Sequence, residues 1–179
     1  SKIYVNNEFN VTNTVNIQVG EQVPYSGTPI SIPGIIEPGL YDKFEGGIGQ
    51  NIAYVDTSIG NNGDFRTEEN VDAVSNNQEG AIVGWITAGE WLEYSIDVQT
   101  DGKYNLEIRY ASGNPNGGGP FYLEIDGVKV SLDISVPTSN DWGNWASKTV
   151  NNIEFTSGEH VLRLVATNGE FNLGKLNFT

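Results

Sequence analysis

From Trp91 onward the chain alternates, with Leu92, Tyr94, Ile96 and Val98 on one side and Trp91, Glu93, Ser95 and Asp97 on the other, the two-residue period of a half-buried strand. The pattern recurs downstream. In residues 103–110, Tyr104, Leu106, Ile108 and Tyr110 share a face, and Asp101-Gly102 between the two runs is a hairpin signal. Residues 121–125 and 128–130 flank Asp126-Gly127, and residues 153–155 and 160–165 flank Ser157-Gly158, so two more hairpins are predicted. The closing run, residues 171–178, turns Phe171, Leu173, Leu176 and Phe178 inward only if the parity slips at Gly174, where a bulge is expected. Residues 112–120, rich in Gly, Asn and Pro, read as a loop.

Upstream the signal is weaker. Short β-type runs at 3–5 and 15–19 are separated by Asn and Thr, so residues 1–23 are either an N-terminal extension or edge strands. Pro29 and Pro33 bracket an extended piece in which helix is disfavoured, and the sandwich proper is expected over residues 24–179. Residues 41–72 are mostly loop; a connection this long either carries function or simply joins two strands through Gly and Asn turns. With no repeats, heptads or amphipathic helices, the class is an all-β antiparallel β-sandwich.

A chain of 179 residues with 37% hydrophobic content suits one domain with one core. It contains no cysteine, which excludes disulfides, thiolate zinc sites, iron–sulfur clusters and cysteine nucleophiles. Nine Lys and Arg against 23 Asp and Glu give a formal charge of −14, which disfavours nucleic acid and anionic membrane surfaces and leaves a neutral ligand or a cation. No apolar run approaches the roughly 20 residues of a membrane helix. Ser1 opens neither a signal peptide nor a targeting segment, so the expectation is a piece cut from a longer chain.

Few residues suggest chemistry. Glu90 and Glu93 look like an acid/base pair, but residues three apart on a strand point to opposite faces. His160 is the sole histidine, at a strand start and without a nucleophile elbow, so a structural role is expected. Residues 56–64 lack the spaced carboxylates of an EF-hand, and neither glycine-rich loop is followed by the Lys-Ser/Thr of a phosphate cradle. The segment containing Trp142 and Trp145 is too rich in Gly and Asn for a strand centre, so one tryptophan is expected inside and one at the surface, where a sugar ring can stack on it.

Residues 32–37 (IPGIIE), 53–57 (AYVDT), 60–63 (GNNG), 71–72 (VD), 83–86 (VGWI), 89–94 (GEWLEY) and 171–173 (FNL) together resemble the family 6 carbohydrate-binding modules, over nearly the whole chain from Pro24 to Phe178. The resemblance implies a jelly-roll sandwich that binds glycans without cleaving them and is attached to the catalytic domain of a secreted or cell-surface glycoside hydrolase. It implies Tyr54 and Trp142 as two aromatic walls of a loop site, Asn172 as its polar contact and Glu45 as a carboxylate capping the terminal sugar. Glu93 is implied at a second site on a concave sheet face. A structural calcium is implied near Glu37, although Gly39 stands where the motif's second carboxylate is expected.

The expectation is therefore a monomeric, non-catalytic module for a β-glucan, with laminarin-type β-1,3-glucan first and xylan, other β-glucans or agar-type galactans behind it. A small carboxylate glycosidase would need two carboxyls about 5 to 9.5 Å apart, for which Glu45, Asp56 and Asp141 are the candidates. An adhesion domain is the third reading, supported by the fold alone.

Overall fold

The computed structural model describes residues 19–179, so the predicted runs at 3–5 and 15–18 lie outside the described residues. The strands are β1 (Gln22–Val23), β2 (Ile30–Ile32), β3 (Gly34–Ile36), β4 (Lys43–Phe44), β5 (Tyr54–Val55), β6 (Ala73–Asn76), β7 (Gly80–Val83), β8 (Trp91–Val98), β9 (Gly102–Ala111), β10 (Gly118–Ile125), β11 (Val128–Lys129), β12 (Ile134–Val136), β13 (Ala146–Phe155), β14 (Gly158–Ala166) and β15 (Asn172–Phe178). A single 3-10 turn, Pro38–Leu40, is the helical element among the described residues, and none there is long and apolar enough to cross a membrane.

Two sheets face each other. The first runs β11-β10-β14-β8-β2, with β12 added to β10 and β5 to β8; the second runs β13-β9-β15-β7-β6, with β3 added to β15. Pairing is antiparallel except between β2 and β8, which run parallel. β1 and β4 form a separate pair, Gln22 opposite Phe44.

The alternation expected for β8 and β9 holds. Leu92, Tyr94, Ile96 and Val98 from one sheet and Tyr104, Leu106, Ile108 and Tyr110 from the other are buried in one core, as sheets packed face to face require. That shared core also corrects two predicted hairpins. Strands β8 and β9 lie in different sheets, as do β13 and β14, so Asp101-Gly102 and Ser157-Gly158 are corners that carry the chain across the sandwich. The reason is physical: a hairpin would set the two apolar faces side by side in one sheet, whereas a crossing lets them meet across the core. Asp126-Gly127 does make a hairpin, with Ile125 opposite Val128. Because the chain changes sheet at five of the seven connections from β8 to β15, the sandwich is a jelly roll.

Three element boundaries differ from the sequence reading. β10 begins at Gly118, inside the expected loop 112–120, because β12 pairs with it through an irregular register between Gly118 and Phe121. β13 begins at Ala146, with a register shift between Val150 and Ile153. The β6–β7 hairpin, Ala73 opposite Val83, was not foreseen. In β15 the expected bulge is present: the register with β9 shifts between Leu173 and Leu176, and Phe171, Leu173, Leu176 and Phe178 are all buried. Gly174 makes room there: a Cβ would fall 3.0 Å from the Trp145 ring and 3.1 Å from the Arg109 side chain, and those side chains would have to shift by a few tenths of an ångström.

Candidate glycan-binding cleft

At one end of the sandwich, the turn after β7, the loop before β13 and the start of β15 enclose an open cleft of about 580 Å³ lined by Trp85, Ile86, Thr87, Trp142, Glu170, Phe171 and Asn172. Its walls are two tryptophans. Trp85 is 58% exposed and Trp142 46%, and no other aromatic residue among the described ones is comparably open.

Trp85 is turned out by its neighbours. Val83 and Ile86 are both buried, and the residue between them and Gly84 takes a left-handed φ of 48° that reverses the chain. The Gly84 N–H donates to the Asp72 carbonyl at 2.9 Å, and Gly84 lacks the Cβ that would sit 2.9 Å from Asn172 Oδ1. The turn is then locked by Glu90, a buried carboxylate. Glu90 accepts the Thr87 N–H at 2.8 Å and the hydroxyls of Thr87 and Thr57, each at 2.9 Å. Glu90 is thus a fastener for the cleft's edge, with its acceptors occupied.

Trp142 sits on a loop that bonds to itself. Asp141 Oδ1 accepts the Gly143 N–H at 2.8 Å, Asn144 donates to the Ser139 carbonyl at 2.6 Å, and the Ser139 hydroxyl accepts the Ser112 N–H at 2.9 Å. The indole lies against Gly113, where a Cβ would fall 2.6 Å from its Nε1. Asn172 closes the frame by donating from Nδ2 to the Trp142 carbonyl at 2.8 Å, so the residue that ties down one wall also lines the cleft. Trp145 is half-buried rather than inside, its ring packed on Gly174 beside Arg109 and outside the core, so the one-in, one-out expectation holds only for the open Trp142.

The predicted site residues divide. Trp142 and Asn172 line the cleft together. Tyr54 does not, and the expected second wall is corrected to Trp85. On β5, Tyr54 lies opposite Leu92 of β8 and so shares its core-facing side; it is 0% exposed, meets Tyr41 edge-on at 5.2 Å, and its hydroxyl accepts the Asn70 N–H at 3.4 Å. Burial pushes the Tyr54 phenol up to about 12. Glu45 is exposed on the turn after β4, its N–H bonded to the Glu21 carbonyl at 3.0 Å, and is absent from the cleft lining. No residue of the long segment 41–72 lines the cleft. That segment is pinned internally: buried Arg66 donates to the carbonyls of Tyr41 and Asp42 and pairs with Glu69 at 2.6 Å.

Glu93 lies, as the alternation predicts, on the outer face of β8. There Arg163 Nε donates to its Oε1 at 2.8 Å, and the same guanidinium covers the Trp91 ring at 4.3 Å and reaches Glu124 at 3.6 Å. Glu93 is consequently only 7% exposed, and the neighbouring tryptophan face is occupied.

Glu37 Oε2 accepts the Ala81 N–H at 2.8 Å. Gly39 is packed so that a Cβ would fall 2.9 Å from the Ala81 methyl, and among the described residues no three His, Asp or Glu side chains converge as a metal site. The three carboxylates considered for hydrolysis are not brought together either. Asp56 is buried and bonded to the Ser58 hydroxyl at 2.7 Å, Asp141 is held in the Trp142 loop, and Glu45 lies elsewhere.

Comparison with known proteins identifies the family and supports the fold. The profile of the family described as "Carbohydrate binding module (family 6)" matches residues 58–179. Endo-1,4-beta-xylanase B of Cellvibrio japonicus is 31% identical over 98 residues, 55% of this chain. The chain spans between 8% and 15% of the length of the curated relatives it matches. Among solved structures, the C-terminal family 6 module of a laminarinase from Zobellia galactanivorans superposes with a TM-score of 0.62 at 22% identity, covering 82% of this chain and 98% of that one. A β-1,3-glucan-binding family 6 module from Bacillus halodurans gives 0.57 at 18% identity, covering 84% and 98%. The matched span of 58–179 contains every segment that builds the cleft, and the chain belongs to the family 6 carbohydrate-binding modules, which bind glycans and are not catalytic.

Proposed function

We propose that the cleft between Trp85 and Trp142 binds a β-glucan, with laminarin-type β-1,3-glucan as the preferred ligand, and that the module acts as a monomer to hold an enzyme of the same polypeptide on its polysaccharide outside the cell. The observation that carries this reading is the pair of outward-facing indoles across an open cleft. A pyranose ring has apolar C–H faces that stack on aromatic walls and equatorial hydroxyls that need polar partners at the rim. The Asn172 amide, Thr87 and Glu170 supply those partners. The choice of β-1,3-glucan is supported by the names of two structurally similar modules, one from a laminarinase and one described as binding β-1,3-glucan. Xylan, other β-glucans and agar-type galactans are the competing ligands, since a xylanase is among the relatives. Tethering raises the local concentration of polysaccharide around the catalytic domain, which is how a weak single site becomes useful.

Isothermal titration of the chain with laminarin, xylan, mixed-linkage glucan and agarose oligosaccharides tests the proposal. Tightest binding to laminarin, lost in Trp142→Ala, is the expected result; equal or tighter binding to xylan would reassign the ligand.

A further inference from the structure

Seven non-glycine residues among those described have a positive φ: Asn51, Arg66, Trp85, Asp126, Asn140, Asn152 and Glu170. Four are Asn or Asp, whose short polar side chains enter this region readily; larger residues there are held against a steric penalty. Of the three exceptions, Arg66 is held by its buried guanidinium contacts. The other two, Trp85 and Glu170, line the same cleft. Backbone strain concentrates where a side chain is needed in a particular place.

Glu170 is fixed by its main chain and free in its side chain. Its φ is 71°, and its carbonyl accepts the Ser112 hydroxyl at 2.7 Å. The carbonyl also sits where a Cβ on Gly118 would come within 2.4 Å of it, so the backbone has little room to move. The residue is exposed, and its carboxylate makes no hydrogen bond or ion pair among the described residues. The buried glutamates are spent inside the fold: Glu93 on Arg163, Glu79 on Arg109, Glu69 on Arg66, and Glu90 on two threonines. No lysine or arginine lines the cleft to offset Glu170.

We infer that Glu170 is a specificity-determining residue of the cleft, whose carboxylate accepts hydrogen bonds from the hydroxyls of an uncharged sugar and repels glycans that carry carboxylate or sulfate groups. The inference rests on the cleft being the glycan site. A charged acceptor strengthens a hydroxyl hydrogen bond, while a like charge at the same distance in a partly desolvated cleft opposes binding. The chain's formal charge of −14 adds a long-range repulsion of the same sign, but that part is screened by salt, whereas the local part persists.

The test is titration with neutral laminarin and with carboxymethylated laminarin of matched length, in about 0.5 M salt so that long-range repulsion is suppressed. The unmodified chain should prefer the neutral polymer by about tenfold. Glu170→Gln should keep neutral binding within about fivefold and reduce the preference to about twofold. Glu154→Gln, an exposed carboxylate on β13, makes the same change in net charge and should leave the preference intact. Glu170→Gly, which relieves the left-handed backbone, should raise Tm by about 2 °C while also losing the preference. A preference that survives Glu170→Gln, or a Glu170→Gly variant with lowered Tm, would overturn the inference. If laminarin binds and Trp142→Ala abolishes binding while Glu170→Gln changes nothing, the inference fails and the cleft reading stands. If no neutral glycan binds the unmodified chain, both fall.

Discussion

The molecule carries tryptophan beside glutamate twice, and the two places are opposites. On the outer face of β8, Trp91 is covered by the Arg163 guanidinium at 4.3 Å, and Glu93 takes that same guanidinium at 2.8 Å. At the loop end, Trp85 and Trp142 line one open cleft, and the Glu170 carboxylate makes no hydrogen bond or ion pair among the described residues. The residue types are the same, but in one place their interactions are satisfied within the fold and in the other they are left for a ligand. A binding site is therefore recognised here by unspent aromatic faces and acceptors, held on a frame that is itself fully bonded: Asn172 to the Trp142 carbonyl, Glu90 to Thr57 and Thr87.

The sharpest way to break this contrast is to remove a wall from each place. Trp142→Ala should weaken glycan binding by about 100-fold or more, as expected for a stacking anchor, whereas Trp91→Ala should leave affinity within about twofold and lower stability instead, by about 1 to 2 kcal/mol, through lost packing and cation–π contact. Titration and thermal unfolding of both variants read the two effects separately. Next in size is the asymmetry inside the Arg163–Glu93 pair. Arg163→Ala leaves a largely buried carboxylate uncompensated and should cost about 3 kcal/mol, while Glu93→Ala leaves a guanidinium that still reaches solvent and Glu124 and should cost about 1 to 2 kcal/mol. Denaturant unfolding distinguishes them, and equal losses would mean that the pair lies in water rather than against the fold. Smaller again is Gly113→Ala. Its Cβ, built 2.6 Å from Trp142 Nε1, must displace the wall, so binding should weaken by about tenfold with little change in Tm.

The mildest effect is on pH. Burial raises the Asp42 and Asp56 carboxyls above their usual range, and the Asp126 hydrogen bond raises the His160 imidazole. For all three, the folded chain binds protons more tightly than the unfolded one. Their contributions are greatest at low pH and decline as pH rises, first through the carboxyl values and then through that of His160. Asp101, lowered by the Ser157 N–H bond, acts in the opposite sense: its contribution is present above the ordinary aspartate range and is lost as pH falls below it. Thermal unfolding should show Tm falling as pH rises through the carboxyl range and again through the imidazole range. His160→Gln should flatten the upper part of that slope.

Much of the fold was legible because β8, β9 and β15 bury one face each, and burial of one face writes a two-residue period into the sequence. What escaped had physical reasons. Strand β13 is an edge strand, largely open to solvent, with a register shift at Asn151 and Asn152, so no apolar alternation marks its first half. Whether Asp101-Gly102 makes a hairpin or a corner depends on which sheet receives the next strand, and a turn dipeptide does not encode that. For the cleft, Trp142 was readable as a tryptophan among Gly and Asn, and Asn172 through its motif. Tyr54 misled because exposure of an aromatic depends on its strand partner, here core-facing Leu92. Trp85 was readable in principle. It stands between Val83 and Ile86, and a tight turn that buries both of those residues turns the one between outward; the signal was that break in parity just before β8.

Titration of laminarin into Trp85→Ala and Tyr54→Phe decides whether Trp85 and Trp142, and not Tyr54, grip the glycan. The structure predicts that Trp85→Ala loses binding by about 100-fold with Tm nearly unchanged, while Tyr54→Phe binds as the unmodified chain does. Undiminished binding by Trp85→Ala would place the glycan elsewhere on the molecule.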